Sequence, residues 1–317
     1  MGFRNTVTIS SLSRANENRD YRIYEELGLY LIKQIRPLYA NTPLFDVIAD
    51  NAIYALDSTT ISTSVKLASW ALGKYSKGAV KVHTLLDLRG CIPVNIHITD
   101  GKWHDNNMWA LLPIECGAIY TADKAYVDLA QMWRMQQAGA FFVMRPKNNM
   151  RFKVTRELID DRLISSVCAD YGALLLGYKS KHLYPEELRI VKVDDPETKE
   201  RVTFMTNIFE FNPLEIANIY RRRWDVEVFY KWLKQNVTIK LLWGYSENAV
   251  KTHIWVAILA YLLLAKIKAE TKSLYSITEI ATLIRVSALE RKDLRELLTQ
   301  PHNLLSFNQN VKELELF

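Results

Sequence analysis

The pattern of apolar and polar positions divides the chain into a helical start, a strand-rich middle and a helical end. Apolar residues recur three or four positions apart within 19–36, which predicts a helix that ends at Pro37. Short apolar runs follow, and they predict strands at 52–56, 80–88, 92–99, 118–122 and 139–144. The second and third of these strands flank Arg89 and Gly90, which predicts a hairpin.

Helical spacing returns between the strands at 104–112 and 126–137. This order of strands and helices predicts an α/β core with a mixed sheet. Charged residues then become frequent, and predicted strands at 188–193 and 201–206 indicate a β-rich insertion in the core.

The end of the chain is predicted to be mostly helical. One helix is expected from Pro213, in its first turn, to about residue 237, a second at 249–270, and shorter ones within 277–298. The predicted organisation is a helical N-terminal segment at 1–50, a core of 51–149 and 207–270, the insertion at 150–206, and a helical C-terminal segment at 271–317.

Composition narrows the class of protein. The 317 residues are 49% hydrophobic and 24% charged, which excludes a mainly disordered, collagen-like or low-complexity chain. A net charge of +6 is compatible with a nucleic-acid partner without requiring one. Three cysteines without metal or redox spacing predict a reducing, cytosolic compartment. The longest apolar run, 254–265, is shorter than the ~20 residues that a bilayer span needs, which predicts a buried helix and no membrane.

The strongest candidates for functional side chains lie in one predicted helical segment, 220–234. On a continuous α-helix Tyr220, Arg223, Glu227 and Lys234 would lie within a stripe about 60° wide. A lone carboxylate in a basic helix usually forms a surface ion pair. The alternative is an acid that binds a metal ion, beside cations that bind phosphates.

Two further carboxylates are candidates for the same site. Asp57 and Asp123 each end a short apolar run, and ligands of open α/β sheets gather at the carboxyl ends of strands. Together with Glu227 they would supply three hard oxygen ligands of the kind that Mg²⁺ prefers. Alternatively, Asp57 is a turn residue and Asp123 caps the following helix.

The spacing Tyr220-x2-Arg223-x3-Glu227-x6-Lys234 resembles the signature of the insertion-sequence-four family of bacterial DDE transposases. The segment 54–60 resembles the first acidic motif of that family, and 121–126 resembles the second. The segments 77–90 and 246–252 are also similar to family segments, so the resemblance covers nearly the whole chain.

This resemblance implies a ribonuclease-H-like core with a β-rich insertion between the second Asp and the Glu. It implies two Mg²⁺ ions, which Mn²⁺ can replace, held by Asp57, Asp123 and Glu227. Tyr220, Arg223 and Lys234 would contact DNA phosphates. The implied reaction is cut-and-paste transposition through a hairpin intermediate. Its partners would be double-stranded transposon ends, target DNA and a second copy of the chain, in the bacterial cytoplasm at the nucleoid.

The sequence also departs from the family. Lys124 and Ala125 follow the second aspartate, where family members often have a basic residue and glycine. The segment 1–50 holds one clear predicted helix, where the family usually has a DNA-recognition domain, and is expected to be a truncated form of it. Two alternatives therefore stay open: an inactive remnant that binds DNA, and a general metal-dependent nuclease.

Other polar residues carry weaker predictions. Four basic residues either line a DNA groove or belong to a solvated face: Lys77, Lys81, Arg145 and Lys147. Three aspartates outside the motifs are expected to be solvated: Asp87, Asp105 and Asp128. Three histidines lack zinc-ligand spacing and are expected to be structural: His83, His97 and His104.

Overall fold

The computed structural model describes residues 7–42, 52–62, 70–71, 78–158, 166–195, 199–237, 244–287 and 293–299. The strands in these ranges are β1 (Ile53–Ser62), β2 (Ala79–Asp87), β3 (Ile92–Asp100), β4 (Ile119–Ala122), β5 (Phe141–Met144), β6 (Phe152–Glu157), β7 (Val167–Leu175), β8 (Leu188–Asp194) and β9 (Arg201–Thr206). They form one nine-stranded sheet in the order β3-β2-β1-β4-β5-β9-β8-β7-β6.

Helices cover the sheet and form the end of the described chain. They are α1 (Ile9–Asn18), α2 (Arg22–Ile35), α3 (Met108–Leu111), α4 (Leu129–Gln137), α5 (Tyr178–Leu183), α6 (Pro213–Arg221), α7 (Asp225–Asn236), α8 (Glu247–Thr271), α9 (Ile277–Ser287) and α10 (Leu294–Thr299). Short 3-10 turns lie at Arg36–Tyr39, Asp105–Asn107, Lys124–Tyr126 and Arg222–Trp224.

The first five strands form the predicted core. β1 pairs antiparallel with β2 and parallel with β4, while β2 pairs antiparallel with β3 and β4 pairs parallel with β5. The apolar start of β1, at 53–56, is buried as expected of a central strand with both faces covered. This mixed sheet confirms the ribonuclease-H-like α/β fold.

The insertion is rich in β-structure, as predicted, and it extends the core sheet. β5 pairs with β9, and β9, β8, β7 and β6 follow as an antiparallel ladder. Strands β6 and β7 were absent from the expectation, because charged and small residues interrupt their apolar alternation. β6 is a largely exposed edge strand, which explains its polar sequence.

Two local predictions are wrong. β1 does not end at Asp57 but continues to Ser62, because residues 57–62 pair with β2. The helix expected from Pro213 to about residue 237 is two helices, α6 and α7, separated by the 3-10 turn Arg222–Trp224. The single stripe expected for a continuous α-helix therefore holds only within α7.

The apolar run at 254–265 lies in α8, as predicted. By length and composition α8 is able to cross a membrane, with a mean hydropathy of 1.6 in its most apolar window. However, 61% of that window is buried inside the protein, where α8 packs against α1, α2 and α7. It is the central helix of the core.

Candidate active site

Neighbouring parallel strands place the first two carboxylates. The last paired positions of β1 and β4 are Leu56 and Ala122, and each is followed directly by an aspartate, Asp57 or Asp123. The two aspartates therefore lie at the same level of the sheet. Asp123 also caps the following 3-10 turn, since its Oδ1 accepts a hydrogen bond from the backbone N–H of Lys124 at 2.7 Å. Asp123 therefore lies beside Asp57, as expected of a site residue, and also caps the segment that follows it, which is the alternative prediction.

Helix α7 brings the third carboxylate. Glu227 lies in its first turn, where the helix dipole favours a negative side chain. One turn later the buried hydroxyl of Tyr230 lies 2.8 Å from the carbonyl oxygen of Asp57 and 3.1 Å from that of Val82. Glu227 and Tyr230 are three positions apart and share a helix face. This anchor therefore holds Glu227 beside the Asp57 position of β1.

The Asp57 carboxyl has several charged groups near it, namely Arg223, Glu227 and Asp123. Burial raises its pKa from 3.8 to about 6, while the backbone N–H of Ser58 and the charge of Arg223 act in the opposite direction. The negative charges of Glu227 and Asp123 raise the pKa further. The three acids are thus within electrostatic reach of one another, and a cation between them would relieve the repulsion.

Tyr220 and Arg223 come from the end of α6 and the turn after it. The Arg223 guanidinium lies 5.7 Å from the centre of the Tyr220 ring, and its Nη2 donates to Glu227 Oε1 at 3.0 Å. The Nε of Arg223 is buried and has no acceptor among the described residues. A buried guanidinium with a donor to spare suits an incoming phosphate oxygen.

A cleft of about 380 Å³ opens between α7 and β1. It is lined by Asp57, Ser58, Thr59, Glu227, Tyr230, Lys231, Lys234 and Gln235. Lys234 donates from Nζ to Thr59 Oγ1, so the last cation of the motif lies beside the strand that carries Asp57. The structure thus brings this predicted cation to the same cleft as Asp57 and Glu227.

The donor set is appropriate for a magnesium ion, but its side chains do not yet converge. Within the described ranges, no three Asp, Glu, His or Cys side chains are close enough to hold one ion as they are oriented. Glu227 is turned toward Arg223, and one oxygen of Asp123 accepts from Lys124. Three carboxylates remain the oxygen ligands that Mg²⁺ prefers, so the residues fit the ion if Glu227 turns away from Arg223.

The remaining basic candidates are dispersed. Lys77 lies outside the described residues. Lys81 is bound internally, because its Nζ pairs with Asp105 at 3.1 Å and donates to the Trp103 carbonyl at 2.9 Å. Lys147 donates to the carbonyl of Val127 at 2.8 Å.

Arg145 follows β5 directly and is exposed. Burial raises the pKa of Tyr220, and Arg145 and Asp123 are among the nearby charges that modify this shift. Arg145 therefore lies within electrostatic reach of Tyr220.

The expectation that three aspartates are solvated is wrong for Asp87, and the other two are half-buried. Asp87 is 1% exposed and pairs with Arg36 and Arg89, because it lies where β2 meets the start of β1. Asp105 is half-buried against Lys81, and Asp128 caps α4.

His83 has the structural character expected of it. It is fully buried, donates to or accepts from Thr99, and contacts the Trp103 ring, with 4.8 Å between ring centres. Burial lowers its pKa to about 4.

Two residues of the site were missed by sequence reasoning. Tyr230 bonds the backbone at Asp57, and Lys231 adds a cation to the cleft lining. Their spacing from Glu227, at three and four positions, is the signal that could have identified them, because such residues share a helix face.

Comparisons with known proteins identify the family of the chain. The transposase DDE domain family matches residues 49–263. A protein named as a transposase from Sinorhizobium fredii is 30% identical over 254 residues, which cover 78% of this chain and 69% of that protein. A transposase of an insertion sequence element from Geobacillus stearothermophilus is 30% identical over 220 residues, and the chain spans 57% of its length.

A weaker likeness in structure is to a chain of the piggyBac transposase synaptic complex with hairpin DNA. It has 12% identity and a TM-score of 0.44, and it covers 98% of this chain and 72% of that chain. The sequence matches carry the assignment, because the domain family covers more than half of the chain and includes all three site carboxylates. The chain therefore belongs to the bacterial DDE transposases, and it is an enzyme that acts on DNA.

Proposed function

We propose that Asp57, Asp123 and Glu227 hold the divalent metal ions on which DDE transposases generally depend, two Mg²⁺ ions that Mn²⁺ can replace. The observation that carries this proposal is that Asp57 and Glu227 line one cleft, while Asp123, directly after β4, lies within electrostatic reach of Asp57. Such ions, when bound, activate the attacking oxygen and stabilise the leaving one in phosphoryl transfer.

Arg223 has a second role in this proposal. Its Nη2 donates to Glu227 in the structure and neutralises that carboxylate. When Glu227 turns toward Asp57, the guanidinium becomes available to a DNA phosphate, with Nε already free of acceptors in the described residues. In this exchange Arg223 would have a negative partner before and after Glu227 turns, which would lower the cost of assembling the site.

Lys234 and Tyr220 would orient the phosphate from two sides. Lys234 reaches the floor of the cleft beside Thr59, and the Tyr220 ring packs on Phe204 with 5.2 Å between ring centres. Burial raises the pKa of the Tyr220 hydroxyl, so the group remains a hydrogen-bond donor at neutral pH. Two donors and one guanidinium would fix the phosphodiester in line with the attacking oxygen.

The proposed reaction is cut-and-paste transposition of an insertion sequence. Water cleaves one strand at the transposon end, and the freed 3′ hydroxyl attacks the opposite strand to form a hairpin. After the hairpin opens, the 3′ hydroxyl attacks target DNA. We expect a homodimer that pairs two ends, acting on the nucleoid in the bacterial cytoplasm.

Nicking of supercoiled plasmid in Mg²⁺ or Mn²⁺ tests the assignment of the site. Wild type is compared with Glu227→Gln and with the matched control Glu247→Gln, whose acid also pairs four positions away, with Lys251. We expect nicking by wild type and the control, and none by Glu227→Gln. Nicking by Glu227→Gln at the wild-type rate would overturn the assignment.

The same assay separates the two alternatives. An inactive remnant would bind DNA in a salt-sensitive way without metal-dependent cutting. A general nuclease would cut plasmids with and without the terminal inverted repeats at the same rate, whereas a transposase is expected to prefer DNA that carries them.

A further inference from the structure

Helix α2 has a buried face and an exposed apolar face. The buried face, at Gly28, Leu31, Ile32 and Ile35, packs toward α8. Gly28 permits this close approach, because a Cβ there would lie 2.8 Å from a ring carbon of Trp255. This contact leaves the opposite side of α2 open to solvent.

The exposed face carries a row of large apolar side chains. Ile23, Leu27 and Tyr30 are 60%, 48% and 58% exposed, and at 100° per residue they lie with Gln34 within a stripe about 60° wide. Leu38, 49% exposed in the following 3-10 turn, extends the row. Single exposed apolar residues are ordinary, but a contiguous row on one helix indicates a contact surface.

The charges beside the row indicate what covers it. Glu26 and Lys33 are both exposed and lie on the same side of the apolar stripe. They are seven positions apart, about 10 Å along the axis, so they do not pair within one helix. When two copies of a helix pack antiparallel about a two-fold axis, the same flanks face each other. Glu26 then meets the partner's Lys33, and the pair occurs twice.

The apolar residues fit the same arrangement. With the two-fold axis between positions 29 and 30, a rise of about 1.5 Å per residue puts Leu27 and the partner's Tyr30 within about 3 Å along the axis. The same spacing relates Ile23 to the partner's Leu38. A single antiparallel register thus brings the apolar residues of the two copies together and also pairs Glu26 with the partner's Lys33.

We propose that the exposed face of α2, formed by Ile23, Leu27, Tyr30 and Leu38 with Glu26 and Lys33 on its flank, is an antiparallel homodimer interface. This surface deepens the proposed function, on which it rests for its role: it would join two copies, each holding one transposon end. A single pair of helices buries an area at the low end of specific interfaces, so the dimer is expected to be weak and concentration-dependent.

Sedimentation velocity over a concentration series tests the interface with a charge swap. Glu26→Lys and Lys33→Glu each place like charges opposite each other, and each is expected to weaken the dimer about tenfold or more. The double variant restores opposite charges in the antiparallel pair and is expected to dimerise like wild type. Leu27→Ala, at a solvent-exposed position, should also weaken the dimer while the fold is retained.

Plasmid nicking by the same samples separates this proposal from the proposed function. Loss of the dimer with nicking retained supports the interface, and a wild-type dimer without nicking overturns only the catalytic proposal. A wild type that is monomeric at every attainable concentration overturns the interface. So does a double variant that is no better than the single ones, since DNA or another protein on this face would not be rescued by the swap.

Discussion

Two aspartates on neighbouring strands, Asp87 buried and Asp57 half-buried, show how differently the same side chain is used. Asp87 pairs across the ladder with Tyr54, and Asp57 pairs with Thr84, three positions further along. Asp87 is bound by two guanidinium groups, with Arg89 Nη2 at 2.8 Å and Arg36 Nε at 3.2 Å. Asp57 lies among other acids, and its pKa is raised to about 6.

The comparison teaches that burial alone does not mark a functional carboxylate. At Asp87 the neighbouring cations neutralise the charge, so the group is expected to stabilise the fold. At Asp57 the acids outnumber the guanidinium that neutralises them, so we expect a cation from solution to relieve the repulsion. Four predictions sharpen or break this contrast.

Replacing Asp57 should produce the largest effect. Asp57→Asn is expected to reduce metal-dependent cleavage about 10³-fold or more, because it removes a proposed metal ligand, and metal ions contribute several kcal/mol to phosphoryl transfer. Thermal unfolding without metal should not be weakened, since the variant also removes a crowded charge. Cleavage at the wild-type rate, or a variant that unfolds, would contradict the contrast.

Asp87→Asn should do the opposite. It leaves Arg36 and Arg89 without their buried acceptor and is expected to lower the free energy of unfolding by about 2–4 kcal/mol. Cleavage per folded molecule should stay within about twofold of wild type. Urea unfolding measures the first effect, and Asp194→Asn, which breaks the exposed pair with Arg201, is the control expected to change little. Equal stability of both variants would refute the structural role of Asp87.

Two buried tyrosines provide a matched pair. Tyr230 bonds the carbonyl of Asp57 at 2.8 Å, and Tyr261 bonds the carbonyl of Cys91 at 3.0 Å, away from the cleft. Each change to Phe should lower the free energy of unfolding by about 1 kcal/mol. Only Tyr230→Phe should also slow cleavage, by roughly tenfold, because it loosens α7 over the Asp57 position. Equal cleavage rates in the two variants would show that this anchor does not position the site.

The smallest effect concerns pH. The folded-state pKa of Asp57 lies above its ordinary value of 3.8, so the protonated form stabilises the fold. In metal-free buffer the free energy of unfolding should therefore gain on the order of 1 kcal/mol as the pH falls through about 6 toward 4, relative to Asp57→Asn. If the stability of wild type relative to Asp57→Asn instead increased with rising pH, the pKa of Asp57 would be lowered rather than raised, and the proposed repulsion among the acids would be contradicted.

Much of the core could be predicted from the sequence, because its signals are local. The β2–β3 hairpin is marked by Arg89 and Gly90, and α8 by its apolar run. The order of apolar runs also predicts the mixed sheet. The spacing of Tyr220, Arg223, Glu227 and Lys234 predicts a shared site even though the helix is interrupted. The turn Arg222–Trp224 separates the first residue of the motif from the last two, and Glu227 and Lys234 still lie on one helix, α7.

The rest depends on tertiary contacts that no local pattern contains. β1 continues through polar residues beyond Asp57 because β2 supplies its hydrogen bonds there. The ion pair between Asp87 and Arg36 joins residues 51 positions apart, from the turn after α2 to the end of β2. The bond from Tyr230 to Asp57 likewise spans 173 positions. Such pairs become visible only when the strands and helices are assembled.

Binding of Mn²⁺ in the absence of DNA tests the central claim most directly. Titration calorimetry or the paramagnetic resonance of free Mn²⁺ would compare wild type with Asp57→Asn, Glu227→Gln and the Asp87→Asn control. We expect binding by wild type and Asp87→Asn, and a loss of at least about tenfold in affinity in each of the two site variants. Equal Mn²⁺ binding by all four proteins would show that the acids within β1, after β4 and in α7 do not form the metal site.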